Sequence, residues 1–393
     1  MITSLREIAE KARENSKISD FHVVEEEGVY YRNLGALKFW DKVDGNFLEN
    51  LLKTLPQGLK KLAEERLEKK GGADFSIEEL GIRFRVAVRK GEGKWNITFR
   101  RLPEFPPKLE ELGLYPETEK ALREILRKTT ESASKQGGLI LIAGATGSGK
   151  STTVGALIRE IVKYPKKLIT LEDPIEYKFS RLPERDTNSL VIQRELGLDF
   201  PNFAEGIYQG LREDPDVILV GELRDENSAN YCVIGALTGH LVFSTIHAER
   251  AIEAITGLIT KLEGKMNPRE ARGRVASCLI GVIAQKLIKV GEKRILVHEA
   301  LFPGERKSYI ERGEEGNFRS FIDNMNNGSI SFEGHSAYLV SKGILPLDKA
   351  RILFGGDNFD ALLERFKKQK DLKNAVEHNH HFLKGFKRNL REI

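Results

Sequence analysis

The chain has 393 residues, 40% of them apolar and 31% charged, the profile of a globular protein of two or three domains with a heavily charged surface. Sixty-three Lys and Arg against 58 Asp and Glu leave a formal net charge of +5, too mild for a dedicated nucleic-acid binder. Only Cys232 and Cys278 occur, with no C-x-x-C to suggest zinc or a disulfide framework, and no apolar run approaches the ~18 residues that span a bilayer.

The amino terminus, Met1-Ile-Thr-Ser-Leu-Arg-Glu7, breaks into charge at once and predicts no signal peptide, so a cytoplasmic place is expected, with docking on a membrane complex left open. Ile2, Leu5, Ile8 and Ala9 recur at helical spacing. Ser19-Asp20-Phe21-His22-Val23-Val24 opens a strand, with Gly28-Val29-Tyr30-Tyr31-Arg32 as its hairpin partner. Residues 46–69 read as helix, interrupted at Pro56-Gln57-Gly58, and segments 73–76, 82–88 and 95–100 complete a small antiparallel sheet. Alternation of Ile82, Phe84, Val86 and Val88 puts Arg83 and Arg85 together on the opposite face, where a merely solvated surface is the plain alternative to a functional one. Pro103, Pro106 and Pro107 mark a domain boundary. A helix from Glu117 to Ala133 then leads through Gln136-Gly137-Gly138 into the next domain.

Leu139 to Ala143 is a short apolar run bounded by glycine and predicts a buried parallel strand. The turn after it, Gly144-Ala145-Thr146-Gly147-Ser148-Gly149-Lys150-Ser151, fits G-x-x-x-x-G-K-[ST] at every fixed position. Glycines let successive backbone N–H groups curl around an anion, and the following helix aims its positive dipole end at the same place. Gly144, Thr146, Gly147, Ser148, Gly149, Lys150, Ser151 and Thr152 are therefore expected to hold the phosphates of ATP. Lys150 would reach the β- and γ-phosphates and the Ser151 hydroxyl would ligate Mg²⁺. Strand and helix patterns alternate from here on, with strands expected at 139–143, 168–172, 217–221, 241–245 and 295–299, which argues a parallel sheet flanked by helices.

Two of these strands end in acids. Glu172-Asp173-Pro174-Ile175-Glu176 follows one, and Asp216-Val217-Ile218-Leu219-Val220-Gly221-Glu222 is another. Strand carboxyl ends are where open α/β sheets bind ligands. Glu222, the first acid after its apolar run, is the candidate to hold Mg²⁺, and Glu176 the candidate to orient or deprotonate the attacking water; spacing alone leaves their division of labour open. His240 and His247 bracket the strand 241–245, and one of them is a candidate γ-phosphate sensor, His247 above all.

Together the phosphate loop, the acidic box, the segment Arg212-Glu213-Asp214-Pro215 to Glu222-Leu223-Arg224-Asp225 and the histidine box resemble the secretion and pilus ATPases of the PilT/GspE superfamily. Ser19-Asp20-Phe21-His22 and Arg83-Phe84-Arg85 are similar to that family's amino-terminal domain, and Ile283-Ala284-Gln285-Lys286-Leu287 to its later helix. The resemblance implies an α/β chain: a PAS-like α+β domain (1–102), a linker and helix (103–137), a RecA-like parallel-sheet P-loop ATPase core (138–300) and a helical carboxyl-terminal region (301–393). It also implies a homo-hexameric ring that works on an inner-membrane platform protein of a pilus or secretion machine, and it favours Glu176 as the base with Glu222 on the metal. Without a four-cysteine motif the chain resembles the short, zinc-free branch, PilT-like or DotB/TraJ-like. A RecA-like motor that translocates nucleic acid in a conjugation system is the alternative, disfavoured by the mild charge.

P-loop enzymes often meet transition-state charge with an arginine from a neighbouring subunit. Arg83, Arg85 and Arg100 on the amino-terminal sheet are candidates, as is Arg194, which the resemblance places near the acidic box; Arg194 and Arg83 rank first. His378, His380 and His381, and the basic residues Arg365, Lys367, Lys368, Lys370, Lys384, Lys387 and Arg388, read as solvated segments rather than a metal or lipid site.

Overall fold

The computed structural model describes residues 1–131, 137–323, 325–356 and 358–369. Helix α1 (Leu5–Glu14) starts at a capping box between Ser4 and Glu7 and buries Leu5, Ile8, Ala9 and Ala12, one stripe of a 3.6-residue period. Strands β1 (Ile18–Val24), β2 (Gly28–Asn33) and β3 (Ala36–Asp41) follow. Then come helices α2 (Phe47–Thr54) and α3 (Gln57–Lys70), and strands β4 (Gly72–Glu79), β5 (Ile82–Gly91) and β6 (Lys94–Arg101). Pro56 separates the two helices, and Gly71, left-handed at φ 64°, ends the second. The six strands make one antiparallel sheet in the order β3-β2-β1-β6-β5-β4, whose core includes the fully buried Phe21, Phe75, Phe84 and Phe99.

The second part of the chain alternates strand and helix. It runs α4 (Pro116–Glu131), β7 (Gly138–Ala143), α5 (Lys150–Ile161), β8 (Lys167–Glu172), β9 (Leu190–Glu195), α6 (Phe203–Gly210) and β10 (Val217–Val220). It continues with α7 (Glu226–Leu237), β11 (Leu241–Ile246), α8 (Ala251–Glu263), α9 (Pro268–Cys278), β12 (Leu279–Val290) and β13 (Lys293–Leu301). Strands β11, β10, β8 and β9 are parallel neighbours in that order. β12 pairs parallel with β7 and antiparallel with β13. Every residue of β7, β10 and β11 is buried, as strands covered on both faces require. Short helices α10 (Ser308–Arg312), α11 (Phe318–Asp323), α12 (Phe332–Ser341) and α13 (Leu347–Phe354) close the described chain, together with a helix over 359–369. No described helix is long and apolar enough to cross a membrane.

The chain divides into two compact units. The first holds Met1–Lys108, Val154–Gly235 and His240–Ser244; the second holds Leu109–Thr153, Ala236–Gly239 and the described residues from Thr245 onward.

The fold matches the expected α/β class, with an antiparallel amino-terminal sheet and parallel strands around the phosphate loop, but three local expectations change. Ile283–Leu287, expected as helix, lies inside β12. Residues Gly281 to Gln285 are buried in succession, on both faces of a strand that lies between β7 and β13, so no two-residue alternation shows in the sequence. Strands β3 and β9 are additions to the expected set; β3 is an edge strand with Ala36 to Phe39 exposed, and it carries no inward-outward signal. The face of β5 that bears Arg83 is not a solvated one, for Arg83 is only 5% exposed. His378, His380, His381, Lys370, Lys384, Lys387 and Arg388 lie outside the described residues, whereas Arg365, Lys367 and Lys368 are exposed on the 359–369 helix as expected.

One buried pair in the second unit makes a stability prediction. His298 on β13 and His335 on α12 are fully buried, with ring centroids 4.1 Å apart. The His298 backbone amide donates to His335 Nδ1 at 3.1 Å, but neither ring nitrogen of His298 has a partner among the described residues. Burial pushes the His298 imidazole from 6.5 down to about 3. The unfolded chain takes up this proton and the folded chain does not, so stability is lost as pH falls below about 6.5 toward 3. His298→Leu keeps the backbone bond and removes two unpaired polar atoms, so thermal melts should show stability equal or higher by about 1 kcal/mol and a shallower acid loss. A melting temperature several degrees lower at neutral pH would contradict this account.

Candidate nucleotide site

The phosphate loop joins β7 to α5 in the second unit, and its geometry demands glycine. Gly144 sits at φ 151°, and a Cβ there would lie 2.4 Å from Ser148 Oγ and 2.7 Å from the Gln285 carbonyl oxygen. Lys150 Nζ donates to the carbonyls of Gly144 at 2.7 Å and Ala145 at 3.1 Å, so its ammonium lies on the loop. Thr146 and Gly147 are exposed at the tip, Ser151 is exposed in the first turn of α5, and Thr152 is half-buried behind it. Gln285 of β12, 1% exposed, donates through Nε2 to the Ser148 carbonyl at 2.7 Å and braces the loop from beneath. Ser148 Oγ is buried without a partner among the described residues. A cradle that a Cβ would fill, an unpaired buried hydroxyl and the amino end of a 12-residue helix together suit a bound phosphate chain. The exposed Ser151 hydroxyl suits a hard cation beside it.

The acids cluster in the first unit. Glu172, at the end of β8, accepts from Thr170 Oγ1 at 2.6 Å and from Gln193 Nε2 at 3.0 Å. Burial pushes its carboxyl up to about 7, opposed by those two bonds and by the Glu176 amide. Glu176 is half-buried in the stretch 173–178, which is neither helix nor strand. Glu222 stands two residues beyond β10, and its Oε2 accepts from Arg224 Nε at 2.7 Å. Arg224 also reaches Asp173 Oδ2 at 3.3 Å, so one guanidinium ties the acid after β10 to the acidic box.

The arginines separate. Arg83 donates through Nη2 to the Ile175 carbonyl at 2.6 Å and through Nη1 to the Glu176 carbonyl, both in its own chain. On β9 the two-residue period turns Gln193 and Glu195 toward the acidic box and Arg194 away from it, where Nη2 meets both carboxylate oxygens of Glu213 at 2.7 and 2.9 Å. Arg100 is paired with Asp20 at 2.9 Å, and Arg85 is half-buried between Ser76 and Arg100 in the sheet register. His240 is buried, with Nδ1 against the Gly235 carbonyl at 2.9 Å; His247 is exposed just past β11.

Glu172, Glu176, Glu222, Arg83 and Arg194 thus belong to the first unit, and Lys150, Ser151 and His247 to the second. Nothing in the sequence alone gives a role to Gln193, Glu195, Arg224 or Gln285. Alternation in Gln193-Arg194-Glu195 is the one signal there, and it speaks only once these residues are known to form a strand.

Known proteins share sequence and fold with this chain. The type IV pilus retractation ATPase PilT of Pseudomonas aeruginosa is 33% identical over 294 residues, 73% of this chain and 79% of that one. The crystal structure of the pilus retraction motor PilT with bound ADP superposes with a TM-score of 0.77 at 30% identity, covering 93% of this chain and 100% of that one. The ATPase DotB of Legionella pneumophila gives 0.74 at 26% identity, covering 89% and 94%. Over two further relatives, each 38% identical, the chain spans 59% and 60% of their length. The family described as T2SSE, type II/IV secretion system protein, matches residues 3–313, most of the chain, and this protein belongs to it.

Proposed function

We propose that the chain is a P-loop ATPase that turns ATP hydrolysis into mechanical work on a type IV pilus or a type II/IV secretion machine. The observation that carries this is the phosphate loop itself: a glycine-dependent cradle with Lys150 lying on it, in a chain of this family. Gly144 to Thr152 bind the triphosphate, and Ser151 and Glu222 hold Mg²⁺, which neutralises phosphate charge when bound. Glu176 orients the attacking water and accepts its proton. His247 senses the γ-phosphate. Arg194, half-buried on Glu213, is the arginine assigned to a neighbouring subunit's phosphate, within a homo-hexamer that meets an inner-membrane platform protein. The PilT and DotB likenesses support a short motor of this kind.

The test is steady-state hydrolysis by purified full-length protein. Turnover should require Mg²⁺, survive a zinc-selective chelator while Mg²⁺ is in excess, and be unchanged by single- or double-stranded DNA or by RNA. Stimulation of several-fold by nucleic acid would instead support the translocase alternative. Absence of Mg²⁺-dependent hydrolysis in the assembled protein would overturn the reading.

A further inference from the structure

Residues 173–178 lie outside helix and strand, so their backbone polar groups need partners from elsewhere. Side chains supply them. Arg83 on β5 takes the carbonyls of Ile175 and Glu176 with the two arms of one guanidinium. Glu195 on β9, 7% exposed, accepts from the Ile175 amide at 3.2 Å and from Ser76 Oγ on β4 at 3.1 Å. Gln193 closes the far end, donating to the Tyr177 carbonyl at 2.8 Å and accepting from the Phe179 amide at 2.9 Å. Arg181, in the single helical turn 179–181 that follows the segment, adds a bond to Glu78 of β4 at 2.9 Å. All these residues belong to the first unit.

The two carbonyls that Arg83 holds belong to successive peptide planes, and the Glu176 Cα is the hinge between them. Since each peptide is planar, the relative orientation of these planes is set by φ and ψ of Glu176 alone. A rigid planar fork bonded to both carbonyls therefore restrains φ and ψ, and with them the direction of the Glu176 Cα–Cβ bond. Burying a guanidinium is costly without compensation. Burial pushes the Arg83 group down, and the carboxylates of Glu78, Glu172 and Glu195 oppose it in part.

We propose that Arg83 is a positioning residue for Glu176, and that Ser76 acts with it through Glu195, so that the amino-terminal sheet sets the aim of the acidic-box carboxylate. The proposal rests on the reading of Glu176 as the group that handles the attacking water. It assigns Arg83 to its own chain's acidic box and not to a neighbouring subunit's phosphate.

A double-mutant cycle on the full-length protein tests this. Arg83→Ala should lower kcat by about 10- to 100-fold, with nucleotide affinity and KM within about two-fold of wild type, because aim is lost while the groups that bind phosphate stay in place. Arg83→Lys should recover only part, since an ammonium cannot hold both planes. In a Glu176→Gln background, Arg83→Ala should cost no more than about a further two-fold. Ser76→Ala, a gentler change that leaves the guanidinium in place, should lower kcat by about three-fold and also become silent in that background. Mixing Arg83→Ala with Lys150→Ala subunits, with exchange verified, should restore nothing. Full-sized losses in the Glu176→Gln background, or recovery on mixing, would overturn the proposal. Glu176→Gln alone with near-normal turnover is a separate result that removes the base reading itself.

Discussion

Lys150→Ala should abolish ATP hydrolysis, lowering turnover by about three orders of magnitude or more, on the order of 4 kcal/mol in barrier. The ammonium already lies on the loop, held by the Gly144 and Ala145 carbonyls, and a triphosphate gives it stronger, charged acceptors at the same place. Alanine leaves the backbone nest and the α5 terminus intact, so nucleotide binding weakens while the charge that builds on the transferred phosphoryl loses its main protein cation. The fold should survive, because the Lys150 side chain is half-buried on a loop and not part of the apolar core, and its bond to the Ala145 carbonyl is an exposed one. Turnover within about ten-fold of wild type, in protein whose melting temperature is unchanged, would remove Lys150 from the mechanism.

Glu222→Gln and Glu176→Gln should each slow hydrolysis by about two orders of magnitude, about 3 kcal/mol, but for different reasons that Mg²⁺ titration separates. If Glu222 serves the metal, its amide variant binds nucleotide yet needs more Mg²⁺ for half-maximal rate, since a neutral oxygen is a poorer ligand for a hard cation. If Glu176 handles the proton, its variant keeps the wild-type Mg²⁺ requirement and loses only kcat. Loss of the exposed Arg224 partner should cost Glu222→Gln little stability, about 1 kcal/mol at most. The reverse pattern, a shifted Mg²⁺ requirement in Glu176→Gln alone, would exchange the two roles.

The phosphate loop, the strand before it and the acids after strands β8 and β10 were legible in the sequence because each is a local feature. Glycine at Gly144, a cation at Lys150 and acids at Glu172, Glu176 and Glu222 sit at short fixed spacings from apolar runs, and short spacings survive whatever the rest of the chain does. The family resemblance rested on the same residues, and the match over residues 3–313 agrees with it. Long-range facts were another matter. Arg83 could be read as one of a pair on a sheet face, but its partners are 92 and 93 residues away, and no periodicity names them. Gln285 lies 137 residues from the Ser148 carbonyl it braces, in a segment whose doubly buried apolar run hid even its strand character. Arg194 and its neighbours Gln193 and Glu195 look alike in sequence, and only the strand that forms there sends them to opposite sides. The sequence by itself determined which chemistry the loop and acids can perform, because that depends on residue type at near spacing. The tertiary structure alone decided which side chains hold the acidic box in place, because an irregular buried segment takes its hydrogen-bond partners from whatever strands pack against it.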